Sequence, residues 1–258
     1  MKVEKKVISN LNKCYSISEL TYEGAHCFLV AAEKHDPCLL FSEDGTQLDT
    51  VWTEPGGVMT MTPVPGTDGQ FLATHRFYSP NDSAEAKIVI VTAQAGGGWE
   101  IRTLCDAPFA HRFGILKRAG QHYLIVCCLK TGHEYKEDWR FPGACFGAEL
   151  PSDLSSFDET HQLKLTLIKD GLLRNHGYSR IRHGGHDAAL IGCEEGTFLF
   201  DPPAVPGAKW SVTQIHHVPS SDSVLIDLDG DGKPELGCIA PFHGSSLTIY
   251  HLDEYGNY

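Results

Sequence analysis

Val224-Leu225-Ile226-Asp227-Leu228-Asp229-Gly230-Asp231-Gly232-Lys233-Pro234-Glu235-Leu236-Gly237 is the stretch from which the fold is read. Carboxylates at Asp227, Asp229 and Asp231, the backbone carbonyl of Lys233 and the carboxylate of Glu235 offer oxygens at alternate positions, the arrangement a hard cation such as calcium takes. Counted from Asp227, an EF-hand needs glutamate at loop position twelve. That position is Cys238, and the flanks Ser223-Val224-Leu225-Ile226 and Leu236-Gly237-Cys238-Ile239 are β-type. The stretch therefore reads as strand, calcium loop, strand.

Outward from the loop, Gly and Pro are plentiful, long helical periodicity is absent, and short Val, Ile, Leu, Phe, Tyr and Thr runs recur between turn residues, the pattern of an all-β chain. The 258 residues divide at the period of four-stranded propeller blades, near 13–53, 54–108, 109–173, 174–219 and 220–258. The last block supplies three strands, and Val3 to Ile8 reads as an orphan strand ahead of the first. Placed in the last blade, that segment closes a single-domain, five-bladed β-propeller and removes two exposed sheet edges. An irregular β-sandwich is the alternative. The loop resembles those of FG-GAP and VCBS repeats, blades of calcium-binding β-propellers, which implies the same fold.

Composition narrows the partners. Hydrophobic residues make up 41%, enough for a full core. A formal charge of -12 argues against nucleic acid and anionic membrane. No window approaches the roughly 18 apolar residues of a membrane span, and Met1-Lys2-Val3-Glu4-Lys5-Lys6-Val7 lacks the apolar run of a signal peptide. Nine cysteines, an odd number set mostly in apolar runs, read as reduced and buried. These features point to a soluble cytoplasmic protein. The sequence has no G-x-S-x-G, Walker loop, dinucleotide fingerprint or C-x-x-C pair, so serine hydrolase, NTPase, NAD enzyme and zinc ribbon have no signal.

In a blade, the start of the first strand and the end of the second share one rim. That rim collects Cys14, Gly57, His111, His176 and Asp222 with Glu33, His35, His75, Arg76, Lys130, His133, Glu194, Glu195 and His243. Four histidines at equivalent positions, His75, His111, His176 and His243, with Glu195 (or Glu194) as anionic ligand, form a candidate axial site for zinc, manganese or iron. Arg76 and Lys130 would hold an anionic group such as a uronate carboxylate, and Tyr178 would supply a phenol for proton transfer. The long insert 132–142 reads as a lid whose His133, Tyr135, Trp139 and Arg140 could stack on a sugar ring. His183-Gly184-Gly185-His186-Asp187 reads as a turn at the opposite end.

The resemblance to sugar-processing VCBS propellers of the aldos-2-ulose dehydratase type implies a carbohydrate lyase, dehydratase or isomerase. In those proteins a divalent metal in the funnel acidifies the proton next to a sugar carbonyl. Here His111 or His176, Tyr178, Lys130 and Arg76 would be the catalytic residues, and a small carbohydrate or uronate the substrate. Two readings stay open beside it. One is a glycoside hydrolase using axial carboxylates; the other is a non-catalytic carbohydrate-binding or scaffold propeller.

Overall fold

A computed structural model describes residues 3–35, 37–254 and 256–258. Among these, the regular elements are nineteen β-strands, with no helix. Strands β1 (Cys14–Tyr22), β2 (Ala25–Ala32), β3 (Cys38–Ser42) and β4 (Gln47–Trp52) form one sheet; β5 (Met61–Pro63), β6 (Gln70–His75), β7 (Lys87–Ala93) and β8 (Trp99–Asp106) form the next. The third comprises β9 (Ala110–Arg118), β10 (Gln121–Lys130), β11 (Pro142–Leu150) and β12 (Thr166–Leu172), and the fourth β13 (Gly177–His183), β14 (His186–Cys193), β15 (Gly196–Asp201) and β16 (Ser211–His216). A fifth, three-stranded sheet holds β17 (Asp222–Ile226), β18 (Glu235–Ala240) and β19 (Ser246–Tyr250). All are antiparallel meanders in chain order, a β-propeller-like arrangement, and they fall in the five blocks read from the sequence.

Turn chemistry sets the hairpins. Between β1 and β2, β9 and β10, and β13 and β14 the two loop residues both have positive φ: Glu23-Gly24, Ala119-Gly120 and Gly184-Gly185. Two left-handed residues make the tight turn whose twist matches paired strands, and glycine at the second position takes that conformation without a Cβ penalty.

The strands group into two compact units. The first runs to Pro108 and includes Leu154–Leu163. Its core comes from the inward positions of both sheets, among them Leu29, Leu40, Trp52, Phe71, Val89 and Val91, with Trp99 stacked on Tyr22 at 5.5 Å. Residues 154–163 form a strap along β8. Arg102 Nη1 donates to the carbonyls of Leu154, Ser155 and Phe157 at 3.3, 2.8 and 2.6 Å, and Leu163 N donates to Leu104 O at 2.8 Å.

The second unit holds the remaining three sheets. Leu116, Ile125, Cys127, Ile191 and Phe200 belong to one core, and Leu190, Leu199, Leu236 and Cys238 to another, joined by Tyr258 of the tail. In the second unit the middle strands β10 and β14 are almost wholly buried while β12, β16 and β19 are half exposed. Continuous apolar runs such as Tyr123–Leu129 are explained by this: both faces of a middle strand are covered.

The expected N-terminal strand is not formed. Residues 3–11 carry no strand, Lys6 Nζ donates to Asp44 O at 3.3 Å, and Ile8 packs beside Gly45 in the first unit. Among the described residues β19 pairs only with β18, so the last sheet keeps three strands. The Lys-rich segment, exposed at nearly every position, has too little apolar surface to be held as a strand.

Candidate functional site

Three of the four rim histidines lie together in the second unit. His111 is the second residue of β9 and 5% exposed; Phe109 just before it has φ 62°. His176 directly precedes β13, where Gly177 is required because a Cβ there would overlap the carbonyl of Ser221. His243 follows β18 with φ 51°, a left-handed conformation that a non-glycine residue holds only under constraint. The His111 and His176 rings are 4.6 Å apart between centroids, and His176 and His243 likewise 4.6 Å, crossing at 80°.

Hydrogen bonding and burial fix the ring chemistry. His176 Nδ1 donates to Ser221 O at 3.2 Å with Asp222 Oδ2 3.6 Å away, which fixes the orientation of the ring and turns Nε2 away from that carbonyl. Burial pushes His111 well below the usual histidine range, helped by the charge of Arg112 and the neighbouring His176. His243 is lowered by burial and then by His176. Burial thus disfavours the cationic forms of His111 and His243 beside a third imidazole of fixed orientation.

Charged and aromatic groups adjoin them. Phe242 stacks on His243 at 4.5 Å, and the guanidinium of Arg174 stands 5.5 Å from the Phe242 ring and 5.4 Å from that of Trp139. Arg174 Nη1 is 2.6 Å from Glu194 Oε1. Neither Arg174 nor Phe242 has a motif of its own in the sequence. The available signal is position: each is within two residues of a rim histidine.

The remaining expected residues are placed elsewhere. Tyr178 is not at the rim: its hydroxyl is buried against Gly114 of β9, and burial pushes the phenol far above its ordinary value. Lys130 is fully buried, donating to Asp138 O at 2.8 Å under the Trp139 ring at 4.2 Å, so it supports the insert instead of facing a ligand. Arg76 is in the first unit, exposed and paired with Glu85 at 3.0 Å. Glu195 is also turned away, accepting from Leu173 N at 2.9 Å. His75 belongs to the first unit, 3% exposed, its ring against the edge of Trp52 at 4.7 Å, and burial pushes it down to about 3. The carboxylates of the hydrolase reading are engaged locally: Glu33 with Lys13 at 3.7 Å, Glu194 with Arg174, Asp222 beside His176.

The insert is built around one carboxylate. Asp138, fully buried, accepts from Glu134 N at 3.0 Å, Arg140 N at 3.1 Å, Arg140 Nε at 2.9 Å and Arg140 Nη2 at 2.9 Å. His133 meets Phe109 edge-on at 5.8 Å and Tyr135 lies 5.3 Å from the Arg140 guanidinium. Tyr135 is thus engaged within the loop, and His133 and Trp139 against residues that flank it.

In the acidic loop, Asp227 accepts from Gly230 N at 2.8 Å and Gly232 N at 3.0 Å, Asp229 from Asp231 N at 3.1 Å, and Asp231 from Lys233 N at 2.7 Å. Glu235 is buried, accepts from Leu228 N at 2.7 Å and has His251 Nδ1 at 3.3 Å. Three donor sets among the described residues converge within 4.8 Å: Asp227, Asp229 and Asp231; Asp229, Glu235 and His251; and His183, His186 and Asp201. The rim histidines adjoin pairwise through His176 and are not such a set.

No protein-family model matches the chain, and no curated protein matches it. Among solved structures, a Glu150Gln mutant and a cobalt-substituted form of the Synechocystis apocarotenoid oxygenase match with TM-scores of 0.50 and 0.51. Identity is 11% and 12%, covering 87% of this chain and 55% of theirs, so the chain spans about half the length of these oxygenase structures. The Kuenenia stuttgartiensis hydrazine synthase matches with a TM-score of 0.53 at 9% identity, over 90% of this chain and 70% of that one. At such identities the likeness is one of fold. It corrects the resemblance drawn from the acidic loop: the likenesses found are to these proteins, and none to FG-GAP or VCBS propellers or to aldos-2-ulose dehydratase is shown. A loop of about a dozen residues with Asp at alternate positions arises wherever a cation turn joins two strands, so it does not identify a family.

Proposed function

We propose that the chain is a metal-dependent enzyme whose site is the rim of the second unit, with His111, His176 and His243 as ligands. The observation that carries this is the set of adjoining imidazoles, with the cationic forms of His111 and His243 disfavoured by burial and Nδ1 of His176 bonded to Ser221 O. Two imidazoles on one ion at metal–nitrogen distances of about 2.1 Å put their ring centroids roughly 4.5–5.2 Å apart. The 4.6 Å separations of His176 from each of the other two suit that spacing, and side-chain rotation would bring the three donor nitrogens, which do not converge within 4.8 Å as they stand, onto one ion. Imidazole donors favour zinc, iron or manganese over calcium or magnesium. When bound, such an ion supplies a Lewis acid for a carbonyl or carboxylate.

On this reading Asp222 and Ser221 orient His176, and Arg174, held by Glu194 at 2.6 Å, offers its remaining N–H donors to an anionic group. A lyase, dehydratase or isomerase acting next to a carbonyl or carboxylate fits these parts, with a small carbohydrate or uronate as the substrate expected from the sequence. The five sheets are taken as five blades, and the loop 227–235 as a separate calcium site.

Metal analysis of the purified chain tests the proposal. Stoichiometric transition metal that falls by one equivalent in His176→Ala and in His243→Ala supports it. Metal content unchanged by both substitutions overturns it.

A further inference from the structure

The sequence run His183-Gly184-Gly185-His186-Asp187 has the residue types of a metal-ligand run but the position of a structural turn, and the residue that alters its reading comes from another strand. Asp187 turns away: it accepts from Lys117 N at 2.9 Å and pairs with Arg182 Nη1 at 2.9 Å. In its place Asp201, the last residue of β15, sets Oδ1 3.0 Å from His183 Nδ1 and 2.7 Å from His186 Nε2. The glycine pair Gly184-Gly185 doubles the chain back so that both histidines, at the ends of β13 and β14, reach the same carboxylate.

The three donor atoms, His183 Nδ1, His186 Nε2 and Asp201 Oδ1, converge within 4.8 Å of one another. With ring protons on the two nitrogens this is a hydrogen-bonded His-Asp cluster; with those protons released it is a donor set of two imidazoles and one carboxylate. His186 Nδ1 faces Gly184 O at 3.3 Å, and a carbonyl on the far nitrogen is the support that metal-bound histidines commonly have. The spacing suits one ion. Donors at about 2.1 Å from a metal stand roughly 3–3.4 Å apart, so the two histidine–Asp201 separations of 3.0 and 2.7 Å open only slightly to admit it. The His183 side chain is half exposed while those of His186 and Asp201 are mostly buried, which leaves coordination positions open to solvent.

We propose that His183, His186 and Asp201 form a divalent transition-metal site of the zinc class, independent of the rim histidines. Two imidazoles and one carboxylate select zinc, cobalt or nickel over calcium and magnesium. The ion fastens the β13–β14 hairpin to the end of β15.

Chelator-stripped protein titrated with Zn2+ by calorimetry, and with Co2+ by visible absorption, provides the test. The His176→Ala/His243→Ala variant, whose result bears separately on the rim proposal, is expected to retain a Zn2+ site. His183→Ala and Asp201→Asn are each expected to weaken that site by about tenfold or more and to remove its cobalt absorption band. His183→Ala alters a half-exposed side chain, and circular dichroism verifies its fold. Should the rim variant fail to fold, wild type against His183→Ala still decides the matter, by the presence or loss of one Zn2+ equivalent. Zn2+ and Co2+ binding unchanged in both His183→Ala and Asp201→Asn overturns the proposal and leaves a hydrogen-bonded His-Asp cluster.

Discussion

At the scale of single residues, His75 makes acid stability measurable. Burial lowers its folded-state value from 6.5 to about 3, so the unfolded chain binds the proton that the folded chain refuses. Stability is complete above the unfolded value and is lost as pH falls from there toward 3, at up to about 1.4 kcal/mol per pH unit for this group. His111 adds to the same slope. Urea denaturation across pH 4 to 6 is expected to show a shallower dependence in His75→Gln than in wild type. Tyr178 offers a second check. Its buried hydroxyl has no hydrogen-bond partner among the described residues, so Tyr178→Phe is expected to change stability by less than about 1 kcal/mol. Gly114→Ala, which drives a methyl into that phenol, is expected to cost about 3 kcal/mol in the same assay. The rim position of His111, His176 and His243 is legible from where the strands begin and end. Tyr178 is not, because strand parity gives the face of a side chain and leaves open which neighbouring sheet covers it.

Among the elements, the insert between β10 and β11 hangs on a single carboxylate. Asp138→Asn keeps the shape but loses the charge that Arg140 and two backbone amides address, and a cost of about 1–3 kcal/mol, local to the loop, is expected. Faster amide hydrogen exchange across 132–141, with the sheets unchanged, is the measurement. The loop between β17 and β18 gives a second case. If it takes calcium, the melting temperature rises with added calcium, by the equivalent of about 2.7 kcal/mol at a hundredfold excess over Kd, and Asp229→Ala abolishes the rise. The hairpins were readable because glycine marks the left-handed positions. The N-terminal segment was not: Val3, Val7 and Ile8 suggest a strand, yet whether a sheet edge accepts it depends on residues far away in sequence.

For the molecule as a whole, the division into five sheets was legible because each strand pairs with its neighbour in sequence, so local turn signals carry the topology. Ligand geometry was less so; the Asp201 contact joins positions that no spacing rule connects. Eight of the nine cysteines are buried and Cys14 is exposed. Burial pushes Cys105 up to about 12. A thiol reagent is therefore expected to modify Cys14 promptly and the others only on denaturation, which mass spectrometry of the labelled, digested chain would read. The meander also shapes how the protein is made. A polypeptide emerging from the ribosome can finish each sheet before the following one is translated. The exception is β8: its strap lies beyond β11, so the first unit, although translated before the second, acquires its last hydrogen bonds only after three of the third sheet's four strands have left the exit tunnel.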